Sequence, residues 1–189
     1  MRIVAGGFRG KRLVAPKGDV TRPTADRVRQ ALFDSLMHAP WGGRAVLDGA
    51  VVVDVFAGTG AMGLEALSRG AGFVRFFERD AAALAALRAN VRACGVEGRC
   101  EVVAGDFFQC RLGGGAAARV AFLDPPYGLG LVPLALERLW GAGVLARDAL
   151  VVAEVGAGED WVPEAPLLAD RAHGAARVLV FGGAGVEGW

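Results

Sequence analysis

At 189 residues the chain fits one domain of the usual roughly 100–200 residues, long enough to bury a sizeable core. Its 53% hydrophobic content against 22% charge excludes a disordered polymer, and no apolar run approaches the ~18 residues of a membrane span. The net charge of +1 hides an asymmetry: residues 1–30 carry eight basic side chains against Asp19 and Asp26, so the remainder is net acidic. Met1–Gly6 runs into Arg9, Lys11 and Arg12 without the apolar core of a leader, and Cys94, Cys100 and Cys110 lack metal-ligand spacing. A reduced, cytoplasmic, metal-free protein is expected.

Residues 1–30 show no strand or helix rhythm and read as a basic arm or hairpin ahead of a helix over Asp26–Met37. Ala50–Phe56 is a Val-rich run of the kind buried on both faces of a sheet. A glycine turn and a helix over Ala61–Arg69 follow, with Gly70 as the stop. Phe73–Phe77 is the next strand, ending in Glu78; Asp80 can cap a helix that carries Leu84, Leu87 and Val91 on one face. Further strands are expected at Glu101–Val103, Val120–Leu123 and Leu150–Val155, with a helix over Leu131–Trp140. Leu167–Asp170 and Arg177–Phe181 are close enough to pair antiparallel. This alternation predicts an α/β fold: a Rossmann-like, seven-stranded, mostly parallel sheet over residues 31–182, with a basic N-terminal extension and a loose tail at 183–189.

The turn after the first strand carries Asp54, Phe56, Ala57, Gly58, Gly60 and Gly63, a G-x-G-x-x-G at a strand-to-helix junction. Glycine permits positive φ and close approach of a ligand, and the helix start offers free N–H groups. The same pattern serves dinucleotide enzymes, with Glu78 where a ribose-binding acid stands, so an NAD-dependent oxidoreductase is an open alternative. Asp54 weighs against it, because a carboxylate repels a pyrophosphate and suits an ammonium or sulfonium group. Glu78, with Arg79 beside it, and Asp106 end the next two strands. S-adenosylmethionine fits this set: amino acid and sulfonium near Asp54 and the turn, ribose on Glu78, adenine amine near Asp106, adenine ring against Phe107.

The fourth strand ends in Asp124-Pro125-Pro126-Tyr127. Two prolines make a stiff, non-helical turn that can fix a carboxylate and its neighbouring carbonyl. Those oxygens can accept both hydrogens of an exocyclic amine, and Tyr127, the chain's one tyrosine, can stack on a flipped-out base. His38 and His173 have no partner at catalytic or ligand spacing, and Glu65 reads as a packing or solvated carboxylate.

Asp54–Gly60 followed by Asp124–Tyr127 resembles the class I S-adenosylmethionine-dependent methyltransferases that modify exocyclic amines of nucleobases. Arg2–Gly10, Arg22–Arg29 with Leu32 and Phe33, Gly63–Arg69, and Asn90 sharpen this to a resemblance to the RsmD-like family, the small-subunit (16S) ribosomal RNA guanine-N2 methyltransferases. It runs from Arg2 to about Phe181. The family commonly has Phe where Tyr127 stands, a difference that keeps the stacking face and adds a hydroxyl.

The resemblance implies methylation of one guanine in small-subunit ribosomal RNA, within an assembling subunit; the sequence shows no heptad or apolar patch of the kind that pairs subunits, so a monomer is expected. Asp124, Pro125, Pro126 and Tyr127 are expected to hold the base. Arg2, Arg9, Lys11, Arg12, Arg22, Thr24, Arg27 and Arg29 are expected on the RNA. A nucleic-acid adenine-N6 methyltransferase and a catalytically idle RNA-binding assembly factor are the remaining alternatives.

Overall fold

The computed structural model describes residues 1–16 and 23–182, with backbone alone for 23–25. The tail expected at 183–189 lies outside the described residues. Two helices lead in, α1 (Pro23–His38) and the single turn α2 (Arg44–Leu47). Then β1 (Val51–Val55), α3 (Ala61–Ser68), β2 (Phe73–Glu78), α4 (Ala81–Cys94) and β3 (Cys100–Ala104) alternate. The chain finishes with β4 (Ala118–Leu123), α5 (Leu131–Gly141), β5 (Leu145–Gly156), β6 (Leu167–His173) and β7 (Ala176–Gly182).

The sheet order is β3-β2-β1-β4-β5-β7-β6, parallel from β3 through β5, with β7 antiparallel to both β5 and β6. The chain winds outward from β1 to β3, then returns to start β4 on the other side of β1. That reversal opens a crevice at the carboxyl ends of β1 and β4, the place where open α/β sheets bind ligands.

Alternate residues face opposite sides of the sheet, as strand geometry requires. Val52, Phe76, Phe122, Val152 and Val180 pack with Phe33, Leu36, Leu64 and Leu87 of the helices on one side. Val53, Phe77, Leu123, Val151 and Phe181 pack with Val132, Leu136 and Leu139 of α5 on the other. Three carboxylates share the parity of the first set: Asp54 follows Val52, Asp124 follows Phe122, and Glu154 follows Val152. They therefore emerge on the α1/α3 side of three adjacent strands.

Two expectations needed adjustment, and one element, α2, was not expected. β5 is twelve residues long, not six, because its first half pairs with β4 around a register shift between Ala118 and Val120. The single turn of α2 is too short to show periodicity. α1 begins at Pro23, three residues earlier than expected; a proline is tolerated in a first helical turn, whose N–H groups have no intrahelical partner.

Residues 1–16 are folded back and docked on the domain. Ile3 N–H donates to Lys11 O at 2.9 Å and Leu13 N–H to Met1 O at 3.1 Å, closing a small hairpin. Ile3 is fully buried and Leu13 nearly so. The carboxylate of Glu65, wholly buried in α3, accepts from Val4 N–H at 2.8 Å and Ala5 N–H at 3.1 Å. Asn90 of α4 accepts from Val14 N–H at 2.7 Å and donates to Val14 O and Thr59 O, both at 3.0 Å, joining the hairpin to the glycine turn. Glu65 is thus a packing residue, and Asn90 a clamp between two loops.

Candidate active site

The crevice is built from four strand ends. At β1, Phe56 adopts φ 63°, a left-handed conformation that costs a non-glycine residue energy and tends to occur at functional turns. Gly60 follows at φ 77° as the N-cap of α3, where an added Cβ would lie 2.3 Å from Leu87 Cδ1. The turn therefore needs glycine for both conformation and space. Asp54 is buried, and its Oδ2 accepts from Gly63 N–H at 2.9 Å, pinning α3 over the strand. Burial pushes the Asp54 carboxyl up to about 8 despite that bond, with Asp124 and Glu78 adding repulsion.

Glu78 closes the turn from β2. Its Oε2 accepts from Gly58 N–H at 2.6 Å, and its Oε1 accepts from Arg79 N–H and Asp80 N–H, both at 2.7 Å. The glutamate is pre-oriented by three amides and keeps lone pairs for hydroxyl donors. The Gly58 amide that a pyrophosphate would use in a dinucleotide enzyme is thus already engaged by a carboxylate.

Asp106, after β3, accepts from Phe108 N–H at 3.0 Å and stands 3.9 Å from the Arg79 guanidinium, both side chains substantially exposed. Phe107 is 3% exposed and packs edge-on to Phe77 at 5.2 Å, so most of its ring belongs to the core. Half-buried Phe56 and Phe108 offer more accessible ring surface at the same cleft.

At β4, Asp124 is exposed at the mouth of the cleft, Pro125 is buried, and Pro126 and Tyr127 are exposed. The protein packed around its inner side, and then the charge of Glu154, push the Asp124 carboxyl up to about 7. The Tyr127 hydroxyl donates to Glu154 Oε1. Burial, first, and then that carboxylate drive the hydroxyl well above its ordinary range. Glu159 accepts from Gly128 N–H at 2.8 Å and Gly156 N–H at 3.0 Å, tying the loop after Tyr127 to the loop after β5.

These groups line two adjoining spaces. One, of about 300 Å³, is lined by Met1, Arg29, Asp54, Phe56, Asp124 and Glu154, among others. The other, of about 920 Å³, includes Glu78, Arg79, Asp106, Phe107, Pro126 and Tyr127. Phe56, Gly58 and Asp124 belong to both walls, so the two spaces meet at the glycine turn and the head of the Asp124–Tyr127 segment.

Sequence reasoning missed Glu154, Phe108 and Met1 as lining residues. Glu154 carried a signal: it is the single acid in the apolar run Leu150–Val155, where a charge costs energy unless it has a task. Met1 had none, since its approach depends on how the hairpin docks.

The basic residues divide. Arg2, Arg9, Lys11, Arg12 and Arg27 are exposed, with the Lys11 ammonium also donating to Ala93 O. Arg29 differs from the others. It is 5% exposed, paired with Asp26 at 2.7 Å, 3.8 Å from Glu65, and donates to Arg2 O at 2.5 Å, so its guanidinium is engaged inside the protein. Arg22 and the side chain of Thr24 lie outside the described residues.

The seven-stranded sheet that carries the glycine turn and the acids at consecutive strand ends is shared with solved structures of class I methyltransferases. The solved structure of an RNA methyltransferase from Salinibacter ruber, in complex with S-adenosyl-L-homocysteine, shares this fold at a TM-score of 0.61 and 20% identity, over 88% of this chain and 97% of that one. The chain belongs to the family described as Conserved hypothetical protein 95, whose model matches residues 1–181. The ribosomal RNA small subunit methyltransferase D of Escherichia coli K12 is 35% identical over 166 residues, covering 88% of this chain and 79% of that protein. The solved structure of the methyltransferase candidate yhhF from Escherichia coli matches at a TM-score of 0.80 and 33% identity, over 97% of both chains.

Proposed function

We propose that this methyltransferase transfers a methyl group from S-adenosylmethionine to the exocyclic N2 amine of a guanine in small-subunit ribosomal RNA, acting in the cytoplasm as a monomer on an assembling subunit. The observation that carries the reading is the placement of Asp124 on the wall shared by the two spaces, with Tyr127 exposed beside it.

The residues fit the cofactor. Glu78, held by three amides, is the acceptor for the ribose hydroxyls, and Asp106 with the Phe56 and Phe108 rings forms the adenine end. Asp54 and Asp124 stand at the other end, where the positive charge of an ammonium and a sulfonium would draw their raised carboxyls into the ionised form. When bound, the cofactor supplies an electrophilic methyl group on its sulfonium.

The chain positions the acceptor. The Asp124 carboxylate and the Pro125 carbonyl accept the two amine hydrogens, which turns the nitrogen lone pair into the adjoining space. Tyr127 stacks on the base, an interaction of roughly 1–3 kcal/mol. Asp124 is also the group placed to take the amine proton as the new bond forms.

Two experiments test the binding half of this reading. A calorimetric titration is expected to show one site for S-adenosylmethionine and no heat with NAD; the opposite pattern would return the glycine turn to dinucleotide chemistry. RNA affinity is expected to fall steeply with salt, through Arg2, Arg9, Arg12 and Arg27. Charge removal at Arg9 or Arg12 lowers the slope of log affinity against log salt by about 0.7–0.9 for each phosphate no longer neutralised. The same change at buried Arg29 acts on stability, leaving the slope per folded molecule unchanged.

A further inference from the structure

Glu154 has no part in the scheme so far, yet it stands beside the group that holds the amine. Leu123 of β4 pairs with Ala153 of β5, so Asp124 and Glu154 are next in register on neighbouring parallel strands. Both leave the sheet on the same face and line the same space of about 300 Å³. Among the described residues no ion pair neutralises either one. Two like charges in one partly dry cleft repel, and each lone pair left empty there costs energy. Tyr127 satisfies one Glu154 oxygen from outside, which fixes the carboxylate and leaves its other oxygen for the cleft.

A pair of adjacent acceptors matches one nucleobase edge in particular. Guanine presents two neighbouring donors, N1–H and the N2 amine. Adenine presents its amine beside N1, a bare acceptor that a carboxylate repels. We infer that Glu154 accepts the N1–H of the target guanine while Asp124 holds the neighbouring amine, making Glu154 the residue that selects guanine over bases with an unprotonated N1. Flipped bases are read in this way, by hydrogen bonds to their Watson–Crick edge. Tyr127 then has two tasks, stacking on the base and positioning Glu154. The inference rests on the guanine reading above and adds the group that enforces it.

The test compares two acceptors in small-subunit RNA, at the position mapped by label incorporation: guanine, and 2-aminopurine, which keeps the 2-amine but has a lone pair at N1. The wild-type protein is expected to favour guanine by about 10–100-fold in kcat/KM, the discrimination of one good base-edge hydrogen bond. Glu154→Gln presents an amide that can donate to N1, and its guanine preference collapses or reverses. S-adenosylmethionine affinity stays within a few-fold, which also reports a folded cofactor site. Equal loss on both acceptors, or an unchanged preference, overturns the role of Glu154 while leaving the guanine reading intact. No transfer to guanine by the wild-type protein overturns the reading beneath it. If Glu154→Gln does not fold, Tyr127→Phe, which keeps the stacking ring, carries the same comparison: loss of the hydroxyl frees Glu154, and the guanine preference falls several-fold whatever the change in overall rate. An unchanged preference in that variant counts against the inference.

Discussion

Asp124→Ala abolishes methyl transfer, lowering it by about 10²-fold or more, while S-adenosylmethionine still binds. The size follows from positioning, since misplacing a reacting group by about 1 Å costs that much, and alanine removes one of the two acceptors that orient the amine. The exposed mouth of the cleft accommodates the smaller side chain without a buried cavity, so thermal stability is expected to hold or rise. A rise is the informative direction, because the variant relieves repulsion between Asp124 and Glu154. Full activity in Asp124→Ala contradicts the mechanism.

The same residue sets a pH dependence. Its carboxyl is raised to about 7 and that of Asp54 to about 8 from an ordinary 3.8, so the folded protein keeps protons that the unfolded chain has already lost. Stability therefore falls as pH rises from about 4 through the folded-state values, and is restored on acidification. Activity runs the other way, increasing through about pH 7 as Asp124 ionises and becomes an acceptor of both hydrogen bond and proton. A bound sulfonium moves the profile toward lower pH by favouring the charged carboxylate. Asp124→Asn removes the step, which a pH–rate series reads directly.

Glu65→Ala is expected to destabilise the fold by about 3–5 kcal/mol, the usual result of breaking a buried ion pair from one side. Glu65 is the hub of the network beneath the hairpin. It bonds Arg69 Nε at 2.7 Å and lies 3.8 Å from Arg29 Nε, while accepting the Val4 and Ala5 amides. Alanine leaves two nearly buried guanidinium groups short of a counter-charge and two backbone donors without a partner. For a chain of this length that is a fall in Tm of roughly 6–20 °C. Since Met1 and Arg29 also line the space beside Asp124, acceptor binding weakens with it. A melting curve within 2 °C of the wild type would show that the hairpin is held elsewhere.

Much of the fold was legible because its signals are local. The Val-rich β1 and the Asp80 cap, with its 2.8 Å bond to Ala83 N–H, each act within a few residues. The antiparallel β6–β7 pair followed from a short connection. The glycine turn and the Asp124–Tyr127 segment were legible for the same reason, since their chemistry is written in contiguous residues. What was not legible is long-range. Arg29 and Arg27 sit two residues apart on one helix; only the docked hairpin decides that Arg29 turns inward to Glu65 and Arg2 O while Arg27 stays exposed. Phe107 and Phe108 are adjacent, and the packing of Phe77 determines which ring is left accessible. Glu154, conspicuous as the lone acid of its apolar run, could be assigned to this cleft only once β5 was laid beside β4 in register.

The most direct measurement is transfer of labelled methyl from S-adenosylmethionine to naked small-subunit RNA and to partly assembled small subunits, followed by nucleoside analysis. Label is expected in N2-methylguanosine, with the assembled particle the better substrate. Label in N6-methyladenosine would keep the cleft and overturn the base assignment, and no label on either RNA would contradict ribosomal RNA as the substrate.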